Sequence, residues 1–277
     1  MTAPPASSPS PPRAEIGIIG GSGFYAFFDD ATEVSVTTPF GEPSDPLTMG
    51  VVNGRHVAFV PRHGRDHRFP PHRINYRANL WALRSCGVRQ VLAPCAVGSL
   101  RPELKPGSLV VPDQLVDRTS GRPQTFYDDA AVHVSFADPY CPRGRRTVVE
   151  VAARSGWPAQ DGGTMVVVEG PRFSTRAESR WYADLGWTVV NMTGHPEAVL
   201  ARELGLCYTA IALVTDLDAG LAEGEGVSQE EVFAVFREHV SRLRDLLRLV
   251  VAELPVERDC PCAFALDGLS LPFELPG

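Results

Sequence analysis

Apolar residues along this chain follow two different spacings. Short, β-branched apolar runs occupy Ile16–Ile19, His56–Pro61, Val91–Cys95, Ser108–Val116, Thr164–Glu169, Thr188–Asn191 and Cys207–Val214. Runs of that length predict strands, and their near-continuous apolar character predicts a sheet covered on both faces. Between them the spacing changes to three and four. Tyr76, Leu80 and Leu83, with Trp81 beside them, predict a helix over Ile74–Arg84, and Pro196–Leu204 opens with Pro at a first-turn position and stops at Gly205. Ser228 and Glu231 form the S-x-x-E pattern of a capping box. Val232, Phe236, Val240, Leu243, Leu247, Val250 and Leu254 then make a stripe opposite Glu238, Arg242, Arg244 and Asp245. That pattern predicts a long amphipathic helix packed on the sheet. Strands and helices that alternate in this way give an α/β layered domain. With no internal repeat and no linker, one domain is expected over residues 14–277, with an irregular, Pro-rich extension from about 255.

Composition narrows the class. The chain has 277 residues, enough for a large core, and its formal charge of −7 argues against nucleic acid or an anionic membrane as partner. A small anion is still allowed, because clustered Arg, His and backbone N–H groups can hold one in an acidic protein. No apolar run approaches the roughly 18 residues of a membrane span. Met1–Pro12, rich in Pro, Ser and Ala, lacks the basic start and apolar centre of a signal peptide and reads as a disordered tail. A cytoplasmic protein is expected. Cys86, Cys95, Cys141 and Cys207 are scattered, while Cys260 and Cys262 stand in Cys-Pro-Cys. That pair suits a local redox couple or half a metal site, but no His or second Cys pair follows at ligand spacing. A structural or redox staple without a catalytic role is expected, and no metal.

Six segments carry chemistry, most of them at a strand end, where α/β folds collect ligands. Gly20-Gly-Ser22-Gly follows the first strand, and its backbone N–H groups with the Ser22 hydroxyl suit an anion. A dinucleotide fingerprint fits poorly, since no acidic residue closes a second strand about twenty residues on. Pro61-Arg62-His63-Gly-Arg65-Asp-His67 gathers cationic and titratable side chains, with a planar donor fork at Arg62 and a further donor at His63. Pro94-Cys95-Ala96-Val-Gly-Ser exposes backbone through small residues. In Glu169-Gly-Pro-Arg-Phe173-Ser174, an aromatic face beside a hydroxyl suits a flat heterocycle. Asn191-Met192-Thr193 precedes the Pro196 helix, whose unpaired N–H groups favour an anion, and Met192 suits the apolar face of a sugar. Finally, Asp216 and Asp218 alternate about Leu217 and point to one side of an extended stretch. Two carboxylates so close raise one another's pKa, and a protonated one can donate to a ring nitrogen. A hard cation would need more oxygen ligands than they supply.

Together and in this order, Gly-Gly-Ser-Gly, Arg-His-Gly-Arg, Asn75-Tyr-Arg-Ala-Asn-Leu-Trp81, Glu-Gly-Pro-Arg-Phe-Ser, Asn-Met-Thr and Thr-Asp-Leu-Asp resemble the methylthioadenosine phosphorylase branch of the trimeric purine nucleoside phosphorylase family, over about Ile16–Leu254. The resemblance implies a three-layer α/β/α sandwich around a mixed sheet, assembled as a homotrimer, with no metal or organic cofactor and inorganic phosphate as co-substrate. It implies a phosphate site at Ser22, Arg62, His63, the Cys95–Ala96 backbone and Thr193. Met192 would pack on the ribose, Phe173 and Ser174 would line the base, and Asp216, Leu217 and Asp218 would face its N7 and 6-amino edge. The implied reaction is phosphorolysis of S-methyl-5′-thioadenosine to adenine and 5-methylthioribose 1-phosphate, with Asp216 as the acid. Relatives acting on 6-oxopurines typically carry Asn where this chain has the Asp pair, so a 6-aminopurine is favoured over methylthioinosine.

The sequence also departs from that pattern. Gly194-His195 replaces a Thr-Val pair, Cys95 stands where Thr is common, and Gln229 occupies a usually apolar position beside the 5′ substituent. The 5′ wall is then expected to rest on Val232, Phe233 and His67, and to admit a 5′-hydroxyl or halogen. A water-using nucleosidase would leave Arg62 and His63 without a purpose, and a non-catalytic binding protein would have no use for the full set.

Overall fold

A computed structural model describes residues 13–21, 27–28, 30–219 and 226–277. The tail Met1–Pro12 and Ser22 lie outside the described residues. In chain order the elements are β1 (Ile16–Gly20), β2 (Ala31–Val34), β3 (Leu47–Val52), β4 (Arg55–Pro61), α1 (Tyr76–Ser85), β5 (Gln90–Ser99), β6 (Leu109–Val111), β7 (Gln114–Arg118), α2 (Pro142–Arg154), β8 (Ala159–Asp161), β9 (Thr164–Val168), α3 (Arg176–Asp184), β10 (Val189–Asn191), α4 (Gly194–Glu203), β11 (Cys207–Leu217) and α5 (Gln229–Glu253). All eleven strands join one mixed sheet.

The alternation of side chains along the central strands builds two cores. Val91, Ala93, Cys95 and Val97 of β5 and Tyr208, Ala210, Ala212 and Val214 of β11 face α1 and α4. The intervening Leu92, Ile211 and Leu213, with Ile16, Ile18, Val57 and Phe59, face α2 and α5. Each Val, Leu, Ile or Phe side chain fully buried this way contributes about 1.5–3 kcal/mol, so apolar packing holds both faces of these strands. The result is the expected α/β/α sandwich, with sheet covered on both sides.

The register of the parallel strands sets where chemistry can happen. Gly20 at the end of β1 lies beside Pro61 at the end of β4, and Ile18 beside Leu92 of β5. β11 runs parallel to β5 with Ala212 beside Cys95, then bulges at Thr215 so that Asp216 pairs with Gly98. β10 meets β5 antiparallel, Val190 beside Gly98. Four strand ends and the Asn191 corner therefore open on one edge of the sheet.

Most periodic segments fold as their patterns predict. Ser108–Val116 does not form one strand, because Pro112 has no N–H for the ladder and Asp113 turns away to accept the Gly163 N–H at 2.8 Å. The regular turns of α4 start at Pro196, since His195 (φ −114°, ψ 132°) is not helical. The Ser228 hydroxyl caps the Glu231 N–H at 3.2 Å, but the Glu231 carboxylate takes that hydroxyl instead of the cap's N–H, so the box is half closed. Five elements, β2, β3, β8, α2 and α3, have too short or too broken an apolar pattern to stand out. The C-terminal segment folds back on its own domain, with Phe273 against Trp81 and Tyr127.

One ion pair crosses the whole layer. Arg62 follows β4 and is 3% exposed, and Glu197 in the first turn of α4 is 1% exposed. Arg62 Nε donates to Glu197 Oε1 at 2.6 Å and Nη2 to Oε2 at 2.9 Å, while Nη1 donates to Pro94 O and Nη2 to Ile19 O. Tyr208 Oη donates to the same carboxylate at 2.7 Å. The guanidinium thereby ties β1, β4, β5, α4 and β11 together. Removing one partner of such a pair strands a buried charge, so Glu197→Gln is expected to cost about 3–5 kcal/mol in chemical denaturation. A loss below about 1 kcal/mol would show that the pair is not the brace of the sheet.

Candidate active site

The segments singled out by sequence converge at this edge in two rows. The lower row lies level with the ends of β1 and β4. Arg62 N–H donates to Gly20 O at 2.8 Å, which joins the glycine loop to the basic turn. The turn itself is split: Arg62 is buried, whereas Arg65, Asp66 and His67 are exposed. A solvated basic turn is therefore ruled out for Arg62. It is not an open fork either. Of its five N–H donors, four go to Glu197, Pro94 and Ile19, and one on Nη1 has no partner among the described residues. Burial alone would lower the Arg62 pKa, but the Glu197 carboxylate outweighs it and keeps the guanidinium charged.

His63 corrects its expected role. Its Nδ1 lies 2.8 Å from Phe69 O, and a carbonyl can only accept, so Nδ1 carries the proton. Burial first, then the Arg62 and His67 charges, push its pKa down to about 3. The ring is thus neutral near pH 7 and presents Nε2 as an acceptor, where the sequence suggests a donor. His63 stacks on His67 at 4.3 Å, and His67 meets the edge of Phe233 at 5.7 Å. That series carries the basic turn to the first turns of α5, where Val232 and Phe233 are half-buried and Gln229 is exposed.

Cys95 and Ala96 stand at the same level on β5. The Cys95 thiol faces the α1 and α4 core, and burial pushes its pKa up to about 12, so only its backbone is available to a ligand. Ala96 O accepts Asn191 Nδ2 at 3.1 Å. Asn191 Oδ1 in turn accepts the N–H groups of Thr193 at 2.7 Å and Gly194 at 2.6 Å. These two N–H groups before the Pro196 turn are hence already capped, contrary to the expectation of open donors there. What Thr193 retains is its hydroxyl, also leaning on Asn191 at 3.3 Å.

The upper row lies two residues further along β5, about 7 Å away at a strand's rise. A Cβ placed on Gly98 would come within 2.9 Å of Asp216 Oδ2 and 3.3 Å of Asp218 Oδ1. Both carboxylates therefore close on one backbone patch, as their alternation predicts. Burial is the main reason the Asp216 pKa rises to about 6; the Thr215 hydroxyl at 2.8 Å opposes it, and the charges of Asp218 and Glu231 add less. Mutual repulsion is thus the smaller cause, not the leading one. Asp218 is also raised by burial, against the Ser179 hydroxyl that donates to it at 2.7 Å. Ser174 Oγ is buried nearby, makes no hydrogen bond of ordinary geometry among the described residues, and adds to Ser179 in lowering the Asp218 pKa. Phe173 is half-buried on the same loop, and Leu217 is half-buried beside Ser99.

Met192 joins the rows. Gly170 adopts φ +66°, and a side chain there would strike Met192 Sδ at 2.7 Å, so only glycine lets the Glu169-Gly-Pro turn pass under that thioether. Arg122 clamps the two segments, donating to Glu169 O at 2.6 Å, Met192 O at 3.0 Å and His195 O at 2.7 Å. Sequence reading misses Arg122, Asn191, Ser179 and Glu197. Only Glu197 carries a local signal, as an acidic residue after Pro196 in the first turn of a helix. Such a site can hold an anion against a neutral, proton-accepting His63 and a charged Arg62, and can offer protonated or accepting carboxyls to a flat base further along β5.

One cluster lies elsewhere. Cys141 and Cys207, distant in sequence, meet Cys260 and Cys262, and these four are the only metal-capable group found among the described residues. The expectation that Cys260 and Cys262 lack partners is corrected here, because folding supplies what spacing does not show.

Comparison with known proteins agrees with this geometry. The phosphorylase superfamily profile matches residues 15–252. A protein of Streptomyces coelicolor named purine nucleoside phosphorylase is 63% identical, over 95% of this chain and 98% of its own. The S-methyl-5′-thioadenosine phosphorylase of Mycolicibacterium smegmatis is 60% identical, over 94% of this chain and 99% of its own. A crystal structure of a mutant adenosine/methylthioadenosine phosphorylase of Schistosoma mansoni with methylthioadenosine superposes with a TM-score of 0.82 at 38% identity, covering 89% of this chain and 93% of that one. Spanned by the profile and aligned almost end to end with these relatives, the chain belongs to the phosphorylase superfamily.

Proposed function

We propose that this protein splits S-methyl-5′-thioadenosine with inorganic phosphate into adenine and 5-methylthioribose 1-phosphate. The observation that carries the reading is the Asp216–Asp218 pair closing on Gly98, two residues along β5 beyond the Cys95–Ala96 backbone. Relatives that bear the same activity name support it.

Cleaving the N-glycosidic bond leaves positive charge on the ribose and negative charge on the purine. Phosphate held by Arg62 Nη1, His63 and the Thr193 hydroxyl, with Ser22 and the Cys95–Ala96 backbone, stabilises the ribose charge and attacks C1′. A neutral His63 suits hydrogenphosphate, whose P–OH proton it accepts at Nε2. As the C1′–N9 bond breaks, its electron pair passes into the purine and Asp216 delivers a proton to N7, so neutral adenine leaves. Solvent returns the proton to Asp216. Asp218, held by Ser179, accepts from the 6-amino group, and Ser174, Phe173 and Leu217 line the base. Met192 covers the ribose. This chemistry asks for no metal or organic cofactor. We also infer a cytoplasmic homotrimer with sites near subunit boundaries, supported by the family resemblance and by Trp181 and Leu185, exposed apolar residues on α3 and its cap.

Incubating the protein with methylthioadenosine is expected to release adenine only when phosphate is present. Release without phosphate, or none with it, would overturn the reading. Asp216→Asn is expected to lower kcat/KM for methylthioadenosine by about 10²–10³-fold while leaving the phosphate KM within about threefold; equal losses in both would remove Asp216 from the acid's role.

The parent's kcat/KM should fall above pH about 6, where Asp216 loses its proton, and that limb should vanish in Asp216→Asn. A carboxyl with a raised pKa stabilises the fold below its unfolded value and loses that contribution as pH rises through about 6. Asp216→Asn should therefore be at least as stable as the parent at pH 7, which separates lost chemistry from lost folding. For the 5′ wall, Gln229→Leu is expected to raise the preference for methylthioadenosine over adenosine about tenfold, and an unchanged ratio would place that wall elsewhere.

A further inference from the structure

The four-cysteine cluster lies outside everything the proposed reaction uses. Cys141 is the N-cap of α2, Cys207 is the first residue of β11, and Cys260 and Cys262 flank the Pro261 turn after α5. No one of them is more than 3% exposed. Their sulfur atoms all lie within 4.8 Å of one another, with Cys207 to Cys260 at 3.3 Å and Cys141 to Cys260 at 3.7 Å. Four thiolates arranged tetrahedrally at a zinc–sulfur distance of about 2.3 Å stand about 3.8 Å apart. The two closest spacings given, 3.3 and 3.7 Å, lie just below that value, and none of the six exceeds 4.8 Å.

The surroundings are those of a charged thiolate group and not of four inert thiols. A tetrathiolate holding a divalent ion has a net charge of −2, which a buried site must offset. Arg258 Nε donates to Cys207 Sγ at 3.4 Å and Arg202 Nη2 to Cys262 Sγ at 3.9 Å. Both guanidiniums are anchored by main-chain oxygens, Arg258 on Gly205 and Arg202 on Asp138 and Ser135. Gly144 N–H donates to Cys141 Sγ at 3.5 Å, and the first turn of α2 adds its dipole. Two cations and a helix terminus aimed at sulfur are the outer contacts that orient and tune metal ligands.

We infer that Cys141, Cys207, Cys260 and Cys262 form a closed structural zinc site. Soft sulfur donors in a tetrahedral set select zinc over hard cations, and four protein ligands leave no position for a substrate, so the ion is structural. Each cysteine releases its proton to solvent as the ion binds. The site ties the C-terminal segment to the start of β11 and of α2. Asp216 lies nine residues further along β11, about 30 Å away at a strand's rise, so the zinc has no part in the reaction.

The test uses the full-length protein purified without chelator or metal affinity resin. Elemental analysis should find about one zinc per chain, released in step with mercurial titration of four thiols. Protein made in cobalt-supplemented medium should show the thiolate-to-cobalt charge-transfer and d–d bands of a tetrahedral sulfur site. Cys260→Ser with Cys262→Ser should reduce bound zinc at least about tenfold, whereas Cys86→Ser should leave it unchanged. Metal-free parent protein with four reactive thiols, or with those thiols lost to two disulfides, would overturn the proposal. So would another metal in zinc's place. Should the double variant fail to fold, metal content and cobalt spectra of the parent decide alone.

Discussion

A guanidinium sealed inside a protein is costly unless every direction around it is answered, and Arg62 is answered almost completely. Glu197 takes two of its donors, Pro94 and Ile19 take two more, and Tyr208 braces the carboxylate from the far side. These partners come from different strands and a helix, so the pair fixes how the layers sit on one another. It also fixes the charge at the edge where the chemistry is proposed. The pairing keeps a permanent cation in place at that edge without letting it wander. On the proposed reading, stability and anion recognition share one residue.

The second constraint is the bulge in β11. Regular pairing with β5 would keep the odd and even residues of β11 in their two cores up to its end. The extra residue at Thr215 breaks that alternation at the point where apolar packing stops, and Asp216 comes to pair with Gly98. Glycine at that site is a matter of space, since any side chain would meet both carboxylates. Burial then raises Asp216 into the range where it can hold a proton. A one-residue irregularity sets a carboxyl with a raised pKa at the end of a core strand.

How much of this could be read from the chain depends on distance along it. Arg62, Thr193, Asp216 and their neighbours each sit just past an apolar run, so periodicity alone brings them to one edge. The long helix α5 and the start of α4 at Pro196 were legible for the same reason. Protonation was not, because the neutral state of His63 depends on Phe69 O and on burial, which no motif records. Nor was Arg122, whose four carbonyl partners lie some 46 to 73 residues away. The cysteine cluster shows the limit most plainly. Cys141 and Cys260 are separated by 119 residues, and only the closing of β11 against α2 and the C-terminal segment makes them neighbours. Ligand spacing is informative when one loop holds the ion and silent when the fold does.

The stack of His63, His67 and Phe233 joins the basic turn to the start of α5, two parts of the site to which the proposed reaction assigns different molecules. On that reading, whatever fills the 5′ end of a sugar would press on Phe233, and the ring contacts would carry that pressure to the imidazole assigned to the anion. Coupling of this kind is reciprocal, because both ligands draw on the same set of ring positions. The two co-substrates would then not bind as strangers. A nucleoside that seats the rings well tightens the grip on its partner anion by the same factor that the anion returns to it, and a poorly fitting 5′ group loosens both.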